Sequence, residues 1–465
     1  MSKLRYALLA VTCAGALAAA AMLAFATSAA SGGPKHHGPP VSKDVRQMLD
    51  DVSASNIQAT IEKLVSFGTR HTLSSQTDPN RGIGAATQWV FDQLQQTAAT
   101  SGGRMTVEKQ SFIQPVGPRI PTPTQITNVI ATLHGSQPAS ASRMYVVSGH
   151  LDSRVTNVLN GTSDAPGADD DASGVATVLE LARVMATHEF DATIVFAVFS
   201  GEEQGTFGSV NYAGRLFAAG ANVAGMFSND IVGSSLGQNG VRDRHDLRVF
   251  AEGPSPQETP QQAAIRRTMG GENDSPPREL ARFVREAAEA AIPKMNVWII
   301  YRRDRFLRGT DDGPFLDKGY PGLRMTEPNE DYRHEHQDVR VENGVQFGDL
   351  PQFDDFDYIA NVARINLSAL AALANGPAAP GGVKVEASTL TVDTTLEWQP
   401  NTEPDLTGYE IVYRETNAPY WQHTIPVGNV TSFTVKGITK DNLIFGVRAV
   451  DTDGNRSVVT FPVPK

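Results

Sequence analysis

MYVVSGHLDS, residues 144–153, carries a run of apolar and β-branched residues into a histidine and an aspartate. Two later stretches repeat that arrangement. TIVFAVFSGEE at 193–203 stays apolar almost to Glu202 and Glu203, and GMFSNDIVG at 225–233 turns polar at Asp230. Near-continuous apolar runs of this length suit strands covered on both faces, as parallel strands are. Between the first two lies ASGVATVLELARVMATH at 172–188, in which Val175, Val178, Leu179, Ala182 and Met185 share one helical face. Strands alternating with such helices predict an α/β fold with a mainly parallel sheet flanked by helices on both faces. In open sheets of this kind, ligands bind beyond the carboxyl ends of the strands, where His150, the paired glutamates and Asp230 fall.

Further helices are predicted at 57–67, 83–94, 277–291 and 356–374, and further strands at 105–112, 127–133, 247–251 and 297–301. The stretch 234–309 is the least regular and reads as a long surface insertion beside the site. NGPAAPGG at 375–382 stops the last helix and marks a linker. Beyond it the short alternating runs VKVEAS, TTLEWQP, GYEIVYRET, SFTVKGI and IFGVRAVD predict an all-β sandwich. Lys3 and Arg5 followed by an apolar, alanine-rich stretch at 6–26 read as an export signal. The expected partition is a signal peptide at 1–30, a flexible spacer at 31–43, a main domain at 44–376, a linker at 377–382 and a β domain at 383–465. The expected location is secreted or periplasmic, with an uncleaved N-terminal membrane anchor as the alternative.

Cys13, the only cysteine, lies within the signal, so the mature chain has no disulfide and no thiolate ligand. Any metal must then be held by His, Asp and Glu, which suits a catalytic zinc site. His36 and His37 fall in the spacer and read as linker. A formal charge of −11 argues against nucleic acid and anionic membranes as partners.

A two-metal hydrolase needs neutral imidazole and ionised carboxylate ligands, a carboxylate shared by both ions, and a free carboxylate to take a proton from water. His150 is a candidate ligand, and Asp152 two residues on is placed to orient its ring. One aspartate would suffice to cap the helix after Asp169, Asp170 and Asp171. Three adjacent acids repel one another, and a bound dication relieves that repulsion, with Asp170 the expected ligand. Adjacent residues point in different directions, so Glu203 can face a metal while Glu202 acts as general base. Asp230 is placed in the same way at the end of the third run.

Together the GHLDS, DDDASG, GEEQG and SNDIVG motifs resemble the secreted di-zinc aminopeptidase family, across roughly residues 45–375 and more weakly over 234–309. That resemblance implies two zinc ions bridged by Asp170, with His150 and Asp230 completing different metals and Glu203 ligating opposite the base Glu202. It implies a fifth ligand, a second histidine, from EDYRHEHQDVR at 330–340. His334, four residues before Asp338, matches the family's spacing, and His336 is the alternative. GTDDGPFLDKGYPG at 309–322 resembles the family's pocket-shaping segment, with Asp311 its acidic member. Some relatives carry a tyrosine, able to steady the tetrahedral intermediate, where this chain has Arg333, which leaves Tyr332 and Arg333 as candidates for that contact.

The final eighty or so residues, with Trp398, Tyr409 and Tyr413, resemble a fibronectin type III domain, which implies a spacer or a contact with an extracellular surface or polymer. The expected activity is that of an exopeptidase acting on peptides or proteins with a free N-terminus. The rivals are a carboxypeptidase, for which Arg302, Arg303, Arg305 and Arg308 could grip a carboxylate, a glutaminyl cyclase with a single zinc, and a non-catalytic receptor or adhesion protein.

Overall fold

The computed structural model describes residues 38 and 40–465. The export signal with Cys13, and most of the spacer, lie outside the described residues. Eight strands form the principal sheet: β1 (Met105–Gln114), β2 (Thr124–Leu133), β3 (Arg143–His150), β4 (Thr193–Phe199), β5 (Asn222–Asn229), β6 (Asp246–Ala251), β7 (Asn296–Ile300) and β8 (Gly322–Thr326). The helices are α1 (Lys43–Asp51), α2 (Ala54–Val65), α3 (Ile83–Ala99), α4 (Gly174–Met185), α5 (Glu202–Gly205), α6 (Phe207–Ala218), α7 (Pro260–Met269), α8 (Pro276–Ala291), α9 (Asp312–Leu316) and α10 (Phe356–Asn375).

Spatial order in the sheet is β1-β2-β4-β3-β5-β8-β6-β7. The central four strands, β4, β3, β5 and β8, are parallel. Antiparallel pairing enters only where β2 meets β1 and β4, and where β6 meets β8. Every residue of β4 is buried, as its unbroken apolar run requires of a strand covered on both faces. One face packs on α4, α8 and α10 through a large cluster that includes Val147, Val178, Phe196, Val284 and Leu370. The other packs on α6 and α9 through Val146, Phe199, Tyr212 and Phe315. Glycine is required where β3 crosses the start of α4, because a Cβ on Gly149 would lie 2.5 Å from the Gly174 carbonyl carbon. That close approach sets His150 against the loop that follows Gly167.

The stretch 234–309 is more than a surface insertion. β6 and β7 extend the principal sheet, and α8 is buried against it, with Leu280, Ala281, Val284 and Ala288 in the core. Its charged composition hid this, since Glu279, Arg282 and Glu286 are themselves buried by the C-terminal strands.

Those strands form two sheets: four strands, Ser432–Val435, Thr394–Glu397, Lys384–Val385 and Val463–Pro464, and three strands, His423–Gly428, Leu406–Glu415 and Leu443–Asp451. Both line one apolar cluster that includes Leu396, Trp398, Tyr409, Ile411 and Val447. Within the 377–382 segment the Ala378 amide donates to Glu403 and its carbonyl accepts from Asn401. Buried ion pairs seat the sheets on α8. Asp274 lies between Arg282 and Arg414, the Trp421 indole donates to Glu279 at 2.9 Å, and Arg448 joins Glu286 to Glu410. Among the described residues no helix is long and apolar enough to cross a membrane.

Candidate metal centre

β3, β4 and β5 end side by side, which brings His150, the α5 glutamates and Asp230 to one rim of the sheet. His150 Nε2 lies 3.0 Å from Asp170 Oδ1 and 3.8 Å from Asp230 Oδ1. The other oxygen of Asp170 lies 2.8 Å from His336 Nε2, and that same ring nitrogen is 3.1 Å from Glu203 Oε1. Two donor sets therefore share Asp170: His150, Asp170 and Asp230 form one, and Asp170, Glu335 and His336 form the other. The centre opens on a cavity of about 620 Å³ also lined by Glu202, Arg119, Arg154 and Tyr332.

The three aspartates divide their labour. Asp171 accepts from the backbone amides of His150 (2.8 Å) and Gly174 (2.9 Å), which ties the end of β3 to the start of α4. Asp169 accepts from Gly233, and Asp349 accepts from the amides of both Asp169 and Asp170. Asp171 thus spends its carboxylate on backbone amides, and of the three only Asp170 faces both histidine rings.

Asp152 does not orient the His150 ring through its carboxylate. Its backbone carbonyl accepts from Nδ1 at 2.9 Å, while the nearer carboxylate oxygen is 3.8 Å from that atom. The carboxylate instead accepts from the amides of Gly201, Glu202 and Glu203 and from the Thr72 hydroxyl. It caps the short helix that carries the glutamates, which has no other side-chain cap.

The structure brings His336 rather than His334 beside Asp170. His334 stacks on Phe353 at 3.5 Å between ring centroids and lines a neighbouring cavity. His336 has a left-handed backbone, φ 53°, and this turns its ring toward Asp170. Spacing to Asp338 carries no information on the direction of a ring in an irregular loop. Arg333 also faces the neighbouring cavity, held by Asp331, whereas Tyr332 lines the metal cavity and is 57% exposed. Asp311 is buried beneath the site, accepting from Ser209 at 2.5 Å, and is not in the cavity wall.

Several residues that matter here carried no motif. Arg154 donates to Glu203 Oε2 at 2.8 Å, and its Nη2 lies 2.6 Å from His336 Nδ1. Fully buried Arg324 pairs with Asp230 at 3.1 Å and with Asp304 at 3.2 Å. Glu335 pairs with Arg308 at the cavity wall.

The electrostatics fit a cation. Burial alone would strip protons from both rings, but surrounding carboxylates outweigh it: Asp171, Asp170 and Asp230 hold His150 well above its ordinary pKa, and Glu203 and Asp170 raise His336 to about 10. Asp170 stays ionised far below the usual carboxylate range because, against its burial, both rings face it. Glu335 Oε2 is buried without a hydrogen-bond partner, and Glu203 Oε1, equally buried, has only the His336 ring nitrogen beside it. Imidazole and carboxylate donors converging around surplus negative charge and an unpartnered oxygen suit one or two divalent ions. Burial pushes the Glu202 carboxyl well above its ordinary value, with Asp230, Glu203 and Asp311 adding to the shift against His150.

Residues 128–343, which enclose every one of these donors, match the profile of peptidase family M28. A probable zinc metalloprotease of Pyrenophora teres f. teres is 50% identical over 427 residues, 91% of this chain and 88% of that protein. The chain belongs to peptidase family M28. A probable zinc metalloprotease of Leptosphaeria maculans is 49% identical over 92% of this chain and 98% of its own length. Among solved structures, LapA of Legionella pneumophila superposes with a TM-score of 0.52 at 18% identity, covering 74% of this chain and 80% of that one. A glutaminyl cyclase of Macrostomum lignano gives 0.51 at 15% identity, covering 73% and 94%. At such identities these two describe the fold alone, which the M28 chain shares with both.

Proposed function

We propose that this zinc-dependent M28 peptidase is an exported aminopeptidase that works with two zinc ions. The observation that carries this reading is the placement of Asp170, each of whose oxygens faces a different histidine, at 3.0 and 2.8 Å. His150, Asp170 and Asp230 would hold one ion; Asp170, His336 and Glu203 would hold the other. Bound zinc supplies a Lewis acid that polarises a carbonyl and acidifies water. Glu202, half-buried at the cavity wall, takes the proton from the attacking water and passes it to the departing amine. Asp152 fixes its position through the α5 amides. Arg154 holds Glu203 by Oε2 and leaves Oε1 free to face an ion. Glu335, which lies beside this second set with Oε2 unpartnered, could join it as a further ligand.

Glu202→Gln tests the assignment. Turnover of an aminoacyl anilide should fall by at least about a hundredfold while zinc content stays at two per chain. Retained turnover removes the base, and a single equivalent of zinc removes the two-metal reading. A carboxypeptidase is the second reading, favoured by the guanidiniums of Arg119, Arg154, Arg305 and Arg308 in the cavity wall. It requires cleavage of N-blocked peptides and none of aminoacyl anilides. In the exported enzyme the C-terminal sheets, as a fibronectin type III-like module, would offer a face to an extracellular surface or polymer.

A further inference from the structure

Four arginines line the metal cavity, and three of them have acidic partners. Arg154 is held by Glu203, Arg305 by Asp304 and Glu330, and Arg308 by Glu330 and Glu335. Arg119 is different. Its Nη1 donates to the backbone carbonyl of Glu203 at 2.8 Å, and no carboxylate pairs with it among the described residues. One of five donors on the guanidinium is thereby used, leaving a fork whose geometry matches a carboxylate.

The loop between β1 and β2 presents this side chain from a fixed base. Gly117 and Ile120 exchange backbone hydrogen bonds of 2.8 and 3.1 Å, and the Ile120 side chain is fully buried beside them. Arg119 therefore projects from an anchored turn, and its hydrogen bond to Glu203 holds it one residue from the base Glu202. A guanidinium on the wall of the metal cavity, with no charge partner among the described residues, is placed to meet a substrate group beside the scissile bond.

We propose that Arg119 is a specificity residue that binds a carboxylate of the substrate, so that the favoured substrates are peptides with an anionic group next to the cleaved bond. This rests on the aminopeptidase reading above and names its substrate class. The carboxylate has two sources, an acidic side chain at the N-terminal residue or the free C-terminus of a dipeptide.

The test uses the zinc-loaded full chain and four ligands, Glu-Ala, Gln-Ala and the C-terminal amide of each. The carboxylate that Arg119 binds should raise kcat/KM by about tenfold over its neutral counterpart, the scale of one charge-assisted contact. The Glu/Gln comparison reads the side-chain source, and the acid/amide comparison reads the terminal source. Arg119→Gln should bring that ratio close to one, and Arg119→Lys should keep part of it, as a point charge without the fork. Calorimetric binding of the same ligands to Glu202→Gln protein, with and without Arg119→Gln, should show the same ratio and the same collapse. A ratio unchanged by Arg119→Gln in both rates and binding overturns the proposal, as does the absence of any preference in the parent enzyme. If none of the peptides is cleaved while binding keeps its dependence on Arg119, the aminopeptidase reading fails and the carboxylate site stands. If cleavage proceeds with no dependence on Arg119, the reverse holds.

Discussion

Asp152→Asn isolates the device that holds Glu202 and Glu203 at the rim of the sheet. In the parent chain, Oδ1 accepts from the amides of Gly201 (2.9 Å) and Glu202 (3.1 Å), and Oδ2 accepts from the amide of Glu203 (3.1 Å) and the Thr72 hydroxyl (2.9 Å). An asparagine keeps one oxygen for the first pair and turns an NH₂ group toward the Glu203 N–H, which is then a buried donor facing a donor. One orphaned amide, together with loss of charge assistance at the remaining two, costs about 2–4 kcal/mol. A four-residue helix with no other side-chain cap relaxes by shifting, and a displacement of about 1 Å at Glu202 lowers kcat by about a hundredfold. The His150 ring is unaffected, since the backbone carbonyl of Asp152 holds its Nδ1. The assay is kcat on an aminoacyl anilide, beside zinc content and urea unfolding of the same preparations. Low kcat at two zinc ions per chain is expected. Activity that falls only in proportion to lost zinc would mean that Asp152 serves His150 after all, and unchanged kcat and stability would refute the capping argument outright.

Exchanging the two histidines of the 330–340 loop separates them. His336→Ala should lose about one zinc equivalent and about a hundredfold in activity, in line with the loss of a ligand, while His334→Ala, which removes a ring stacked on Phe353, keeps its metal; equal zinc content in both is the contrary result. Asp274→Asn leaves Arg282 and Arg414, both almost fully buried, short of their common partner, and should lower unfolding stability by about 3–5 kcal/mol in urea titrations; a negligible loss would show that the C-terminal sheets sit loosely on α8. Asp191 is raised to about 6 by partial burial and by Asp405 and Asp451, so the native state holds its proton more tightly than the unfolded chain and stability declines as pH rises from near 4 past 6. Asp191→Asn should therefore raise Tm at pH 7 and leave it unchanged at pH 4, and a gain of equal size at both would exclude titration of Asp191 as the cause.

Most of the architecture was legible because burial on both faces leaves a mark on composition. β4 reads as an unbroken apolar run, α4 as one apolar stripe, and the strand ends announce themselves by the switch to His, Asp and Glu. The stretch 234–309 was less legible, because α8 buries Glu279, Arg282 and Glu286 against partners more than a hundred residues away, which local patterning registers as exposure.

The chain alone determined that β3, β4 and β5 lie within one covered sheet and that His150, Asp170, Glu202, Glu203 and Asp230 stand at element ends, since periodicity and polarity are local properties. Which oxygen or nitrogen faces which was decided only by the tertiary structure. A left-handed turn at His336 selects one histidine over another two residues away, and a close-packed strand and helix leave Asp171 to cap while Asp170 faces both rings. The Asp152 carboxylate reaches across fifty residues to three amides, and Arg119 finds a carbonyl more than eighty residues on. Such contacts depend on side-chain direction and on loops brought together by folding, and neither is encoded in spacing along the chain.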